Sequence, residues 1–251
     1  MLSKSYPMKM SLAGIFLLIT IALTLSFREK NPEHRITSAG SSMERPDLSD
    51  KKADFIHSIY SSITASGSQL SQQVFEIAFS GFDKLQAQGK LSQDSILTII
   101  DFSKSSREKR MHVVDLKSGR LLFNSVVAHG RNSGDEYAQH FSNQPNSHKS
   151  SLGFYVTGGT YSGSNGYSMI LNGMEKGFND KAKDRAIVMH GAAYANENVL
   201  YSGQRLGRSY GCPALPQQLN KQVIEKIKGG NCLFIFYPDQ QYLNNSKMIN
   251  G

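Results

Sequence analysis

The chain has 251 residues, 39% of them apolar and 19% charged, with a formal net charge of +8. That length holds one sizeable domain with additions, or two small ones, and the apolar share excludes wholesale disorder. The basic excess favours anionic partners, but there is no RNP-like, zinc-finger or basic-helix pattern, so nucleic acid is not an expected partner.

Lys4 and Lys9 precede MSLAGIFLLITIALTLSF, residues 10 to 27, which carries no charge. A basic start followed by an apolar run is the pattern of an export signal. The run is slightly long for a signal peptide and slightly short for a membrane span. No A-x-A site and no lipobox cysteine accompany it. The expectation is an uncleaved signal-anchor over residues 1–30, with a cleaved signal peptide as the alternative. Arg28 and Lys30 follow the run, so flanking charge orients it only weakly. An exported protein results, in the periplasm or cell envelope, attached to the inner membrane where the anchor is kept.

Residues 31–50 are polar and rich in Ser, Pro and charge, and read as a linker. Residues 51–94 read as helical. A weak helix over 51–66 precedes LSQQVFEIAFSGFDKLQAQ, which sets Val74, Ile77, Ala78, Gly81, Phe82 and Leu85 on one face. From residue 95 the pattern changes to short segments rich in β-branched and aromatic residues: SILTIIDF, MHVVDL, RLLFNSVVA, LGFYVT, GYSMIL, RAIVMH and CLFIFYP. DLKSG, residues 115–119, reads as a hairpin turn. Residues 130–151 form one long Ser/Gly/Asn-rich loop. Leu219, Val223, Ile224 and Ile227 mark a short amphipathic helix stopped by Gly229 and Gly230. The expected fold is mainly β, a sandwich or barrel over residues 95–242, preceded by the helical segment and followed by a tail over 243–251.

Two cysteines in an exported chain first suggest a Cys212–Cys232 disulfide. Their surroundings separate them. Cys232 opens CLFIFYP, a buried strand in which a thiol is inert packing. Cys212 lies between Gly211 and Pro213, after Arg205 and Arg208, in an exposed turn where a thiolate can form. A thiol nucleophile needs a base for its proton and donors for the oxyanion. His34, His57, His112, His140 and His148 read as surface residues. His129 and His190 each end an apolar strand and precede a glycine, and His190 is nearer to Cys212. The bland alternative is a strand-end histidine beside an unrelated thiol. No C-x-x-C, H-x-x-x-H or H-E-x-x-H occurs, so no metal site is expected. The glycine-rich stretches lack a phosphate-loop lysine and read as turns. Asp101, Asp115, Asp180 and Asp184 form no pair spaced for glycosidase chemistry.

IVMHG, residues 187–191, followed by RLGRSYGCPAL, residues 205–215, resembles the L,D-transpeptidase catalytic domain of the YkuD type, whose hallmark is a histidine and then a Ser/Thr-x-Gly-Cys element. DFSKSSREKRMHVVDLKSGRLLFNSVVAHGRNSG, FSNQPNSHKSSLGFYVTGGTY and GFNDKAKDRAIVMHGAAY are similar to its murein subfamily, over about residues 95 to 240. The resemblance implies Cys212 as nucleophile, His190 as general base, the Gly191 carbonyl as the acceptor that orients the imidazole, and Ser209 and Gly211 as the small residues of the cysteine element. The amides of Tyr210, Gly211 and Cys212 become candidate oxyanion donors. Charge alone marks Arg205 and Arg208 as binders of substrate carboxylates, or as ordinary surface charge. Tyr210 stands where the widespread motif has histidine, and Pro213, Ala214, Leu215 and Pro216 replace its asparagine and arginine, although the subfamily shares GRSxGCPA.

The implied function is a cysteine L,D-transpeptidase on peptidoglycan stem peptides, needing no cofactor and expected as a monomer. An amine acceptor yields cross-links; water makes it an L,D-carboxypeptidase. The rivals are another exported cysteine peptidase acting on ordinary L-peptides, and a non-catalytic wall-binding module held by a Cys212–Cys232 disulfide.

Overall fold

The computed structural model describes residues 48–251. The expected signal or anchor over 1–30, and the linker as far as residue 47, lie outside the described residues. Among the described residues no helix is long and apolar enough to cross a membrane.

Two helices come first, α1 (Leu48–Ala65) and α2 (Gln72–Ala87). Ser71 caps α2, its hydroxyl accepting from the Val74 amide at 3.3 Å, which satisfies one of the otherwise unpaired first-turn donors. The apolar face foreseen on α2 is buried at Val74, Ala78, Gly81, Phe82 and Leu85, with Phe75 and Phe79 added and Ile77 at its margin.

Eight strands follow: β1 (Ile96–Asp101), β2 (Met111–Asp115), β3 (Arg120–Ser125), β4 (Gly153–Gly163), β5 (Gly166–Gly173), β6 (Val188–Ala192), β7 (Ala214–Pro216) and β8 (Cys232–Phe236). The remaining helices are α3 (Asn198–Tyr201), α4 (Gln217–Ile227), α5 (Gln240–Asn245) and α6 (Lys247–Asn250). The strands form one sheet in the order β3-β2-β1-β8-β4-β5-β6-β7. The β1–β8 and β6–β7 pairs are parallel and the others antiparallel. β3 and β7 end that order, yet the chain leaving β3 bridges back to the far edge, Ala128 to Ala214 and Gly130 to Ser209. The sheet is thereby almost closed, so the mainly β expectation resolves into a near-barrel.

β1 and β8 are buried along their whole length, because both faces are covered; parallel neighbours of this kind read as continuous apolar runs. α2 packs across β1 and β8 and α1 against β3. Ile59, Ile63, Phe75 and Phe82 of these helices share one core with the sheet. The last residues, expected as a tail, are docked: Tyr242 donates to the Glu175 carboxylate at 2.9 Å, Ser246 also bonds it, and Met248 is buried. One expectation is overturned at His112. It is fully buried rather than on the surface, with Nδ1 3.0 Å from Ser68 Oγ and 3.1 Å from Asn124 Nδ2. Burial, and then Lys104, pushes its pKa down to about 4. A single polar residue in a strand does not reveal that helices cover its face.

The contact between α2 and β4 is close. A Cβ on Gly81 would lie 2.1 Å from Phe154 Cζ. The Phe154 ring is wholly buried and stacked on Phe234 at 4.1 Å, so it has little room to retreat. Gly81→Ala gains about 1 kcal/mol of helix propensity but overpacks this contact at a cost of about 1–3 kcal/mol. Thermal unfolding of the variant is expected several degrees below wild type, at roughly 2–4 °C per kcal/mol for a chain of this size. An equal or higher melting temperature would show that the ring gives way freely.

Candidate active site

β6 and β7 run in parallel with His190 opposite Ala214. Cys212 precedes Ala214 by two residues, so the register brings the cysteine turn beside the histidine strand. Gly211 makes the turn at φ +125°. A Cβ there would meet the Lys149 carbonyl at 2.8 Å and Ile187 Cδ1 at 2.9 Å, so both backbone conformation and space require glycine.

The turn was expected to be exposed, yet Cys212 is only 7% exposed. Its Sγ accepts from the Val188 amide at 3.4 Å and donates to the Ala186 carbonyl at 3.7 Å. Burial pushes the thiol above its ordinary pKa, while the Val188 amide and the Arg185 guanidinium pull it back. Cys212 and Cys232 are both free thiols. Cys232 is wholly buried in β8, and burial alone pushes its pKa far up.

His190 is 4% exposed. Its Nδ1 lies 3.1 Å from the Gly191 carbonyl oxygen. A carbonyl only accepts, so Nδ1 carries the proton and Nε2 the lone pair. Burial holds the imidazole below its ordinary pKa, partly offset by the Gly191 carbonyl. The ring is therefore neutral at pH 7 and able to take a proton. The thiol bonds to the backbone around the start of β6 and not to this ring.

Hydroxyls fix the backbone around the thiol. Ser209 Oγ donates to the Cys212 carbonyl at 2.6 Å and accepts from the Gly211 amide at 3.0 Å. Ser150 Oγ donates to the Gly211 carbonyl at 3.0 Å and accepts from the Gly130 amide at 3.0 Å. With the Gly211 amide used in this way, the Tyr210 and Cys212 amides are left without an acceptor among the described residues.

Arg205 and Arg208 converge on the protein's own carboxylate. Asp135 Oδ1 is 3.3 Å from Arg205 and 2.7 Å from Arg208, and Arg208 also donates to the Arg131 and Gly134 carbonyls. They tie the cysteine turn to the loop after Gly130. Tyr210 is 66% exposed, with its ring 4.7 Å from that of His148 and the Arg131 guanidinium 5.7 Å away. It borders a cavity of about 300 Å³ shared with His148, Asp184, Arg185 and Ala186.

The two strand-end histidines differ in their surroundings. His129 is 1% exposed, accepts from Arg110 Nη2 at 2.8 Å through Nδ1, and has Nε2 3.3 Å from the Gly134 carbonyl. Burial, then Arg110, pushes its pKa down to about 3. Both its nitrogens are engaged in holding the fold, whereas among the described residues His190 Nε2 has no hydrogen-bond partner. Two residues of the site escaped the sequence reading. Ser150 is one serine among many in a polar loop, and Arg185 is one of 28 basic residues; no local pattern marks either.

The family model of the L,D-transpeptidase catalytic domain matches residues 66–236. No curated protein matches the sequence significantly. Among solved structures, an L,D-transpeptidase from Mycobacterium smegmatis is similar at 10% identity and a TM-score of 0.36, covering 57% of this chain and 59% of its own. L,D-transpeptidase 1 of Mycobacterium tuberculosis is similar at 11% identity and a TM-score of 0.33, covering 56% and 61%. The helical cell shape determining protein Pgp2 of Campylobacter jejuni is similar at 15% identity and a TM-score of 0.38, covering 64% and 57%. The chain thus spans about three fifths of the length of these structures, and at such values the assignment rests on the family model. That match takes in well over half of the sequence, including both the His190 strand and the Cys212 turn, and the chain belongs to the L,D-transpeptidase catalytic domain family.

Proposed function

We propose that the protein is a cysteine L,D-transpeptidase that acts on peptidoglycan stem peptides through a thioester on Cys212. The observation that carries this reading is the β6–β7 register, which sets the Cys212 turn beside an imidazole whose Nδ1 is committed to Gly191 and whose Nε2 is free.

His190 Nε2 takes the Sγ proton as sulfur attacks the carbonyl carbon of the third residue of a stem peptide. Negative charge moves to the carbonyl oxygen, for which the amides of Tyr210 and Cys212 are the available donors. Collapse breaks the peptide bond, and the departing amine of the terminal D-residue leaves with the proton from His190. An acceptor amine then attacks the thioester, gives its surplus proton to His190, and releases the sulfur to be reprotonated. The new amide is a cross-link; water in place of the amine gives a trimmed tripeptide. Ser209 and Ser150 hold the turn, Tyr210 faces the substrate, and Arg205 and Arg208 act through the loop they share with Asp135. The chain supplies nucleophile, base and donors, so the chemistry calls for no cofactor. Such a protein works in the cell envelope, with residues 1–30 as its export signal or membrane anchor.

The test is incubation of the purified, reduced protein with a disaccharide-tetrapeptide, read by mass spectrometry. Dimers lacking one terminal residue are expected. Cys212→Ala should form none, and His190→Ala should be slower by about 10²–10⁴-fold, the usual contribution of a general base. Tripeptides without dimers would make the protein an L,D-carboxypeptidase. No product from folded protein, with cleavage of ordinary L-peptides instead, would refute the reading in favour of a cysteine peptidase.

The pH profile is a separate check. Only neutral His190 accepts a proton, and burial holds its pKa below 6.5. kcat/KM is therefore expected to fall on acidification only below pH 6.5; an acid limb centred above that value would contradict the assignment. His129→Gln should lower the melting temperature and leave that limb in place, since His129 bonds only to the fold.

A further inference from the structure

We infer that Arg185 is the fixed counter-charge of the Cys212 thiolate, a positioning residue whose guanidinium is clamped by neutral acceptors against the turn that carries the nucleophile. The inference rests on the proposed function in one respect, that Cys212 ionises during the reaction.

The clamp is complete at both terminal nitrogens. Arg185 Nη1 donates to the Ser142 carbonyl at 2.7 Å and to Ser151 Oγ; Nη2 donates to the Lys149 carbonyl at 2.7 Å and to Ser147 Oγ at 3.1 Å. All four partners are carbonyls or hydroxyls. Among the described residues no carboxylate pairs with Arg185, although Asp184 lines the same cavity. Nε is buried and has no partner. A half-buried cation held so firmly, with no anion beside it, is an unusual expense for a fold.

The position explains it. Arg185 Nη2 would lie 3.5 Å from a Cβ on Gly211, the residue before Cys212. Ala186, the residue after Arg185, accepts the thiol hydrogen bond. Among the described residues, His190 stands on β6 in register beside the turn that carries the thiol, and Tyr194, in the 3-10 turn Ala193–Ala195, feels the charge of Cys212. Tyr194 is pushed up to about 12 by burial and then by Cys212, and His190 is held below 6.5 by burial, so both are neutral at pH 7. Tyr155, near Arg185, is pushed far up by burial and is a neutral phenol at pH 7, donating to the Ser151 carbonyl at 2.9 Å. Arg185 is therefore the permanent charge of this group. It opposes the desolvation that would otherwise keep the sulfur protonated, and it needs no rearrangement when the charge appears.

The experiment follows the pH dependence of Cys212 alkylation by iodoacetamide, with the modified peptide identified by mass so that buried Cys232 is distinguished. Arg185→Gln is expected to raise the midpoint by about one pH unit or more, the usual effect of losing an opposite charge at such range. Arg185→Lys keeps the charge and is expected to stay within roughly half a pH unit of wild type. An unchanged midpoint in folded Arg185→Gln overturns the inference. Should circular dichroism show that Arg185→Gln does not fold, Arg185→Lys decides: a midpoint near wild type supports a role of charge, and one raised by a full unit overturns it. Alkylation uses no peptidoglycan, so failure here leaves the transpeptidase reading standing, and absence of turnover leaves this inference standing.

Discussion

Everything at the site hangs on Ala214. On one side it pairs in register with His190. On the other it exchanges hydrogen bonds with Ala128, at 2.8 and 3.2 Å. β7 is only three residues long, yet it is buried throughout and held along both edges. Cys212, two residues upstream, must therefore emerge between the histidine strand and the segment that follows β3. The near-closure of the sheet and the assembly of the site are the same event.

The resting pair itself carries no charge. Burial raises the thiol and lowers the imidazole, so each group sits in its uncharged form. In the proposed reaction, charge separation occurs only when sulfur gives its proton to nitrogen, among buried groups where fixed dipoles act strongly. The surroundings are built mostly from hydroxyls. Ser133, Ser142, Ser147, Ser150 and Ser151 all make hydrogen bonds that order the loop between Gly130 and Gly153. A composition that reads as a simple polar loop is a lattice of neutral donors and acceptors that holds the Arg185 guanidinium near the cysteine turn.

The guanidinium groups divide the remaining labour. Arg110 is fully buried, lies 4.8 Å from the Phe102 ring centroid, and donates to the Val127 and Lys104 carbonyls and to His129. It anchors the segment on which Ala128 depends. Burial pushes its pKa down to about 9, and Asp101 and Glu108 partly restore it, so it stays charged at neutral pH. Arg205 and Arg208 do a related task near the surface by gathering Asp135. Pairs this exposed add little to stability; their effect is to fix where the loop lies.

The sequence by itself determined the elements and the candidate reacting groups. Short segments rich in β-branched and aromatic residues marked the strands, the 3.6-residue face marked α2, and a histidine before glycine with a cysteine after glycine marked the candidate pair, because these signals are local. It did not determine which polar residues the fold buries. His112 looked like a surface residue, Cys212 looked exposed, the pairing of Arg205 and Arg208 with Asp135 left no trace, and Arg185 and Ser150 had no distinguishing mark. Burial and pairing are set by segments far apart in the chain: Ser68 against His112, Asp135 against Arg208, Lys149 against Arg185. Only packing the helices on the sheet and closing the sheet brings those segments together, and so the tertiary structure decided the protonation states and the electrostatic setting of a candidate site that two short motifs had marked.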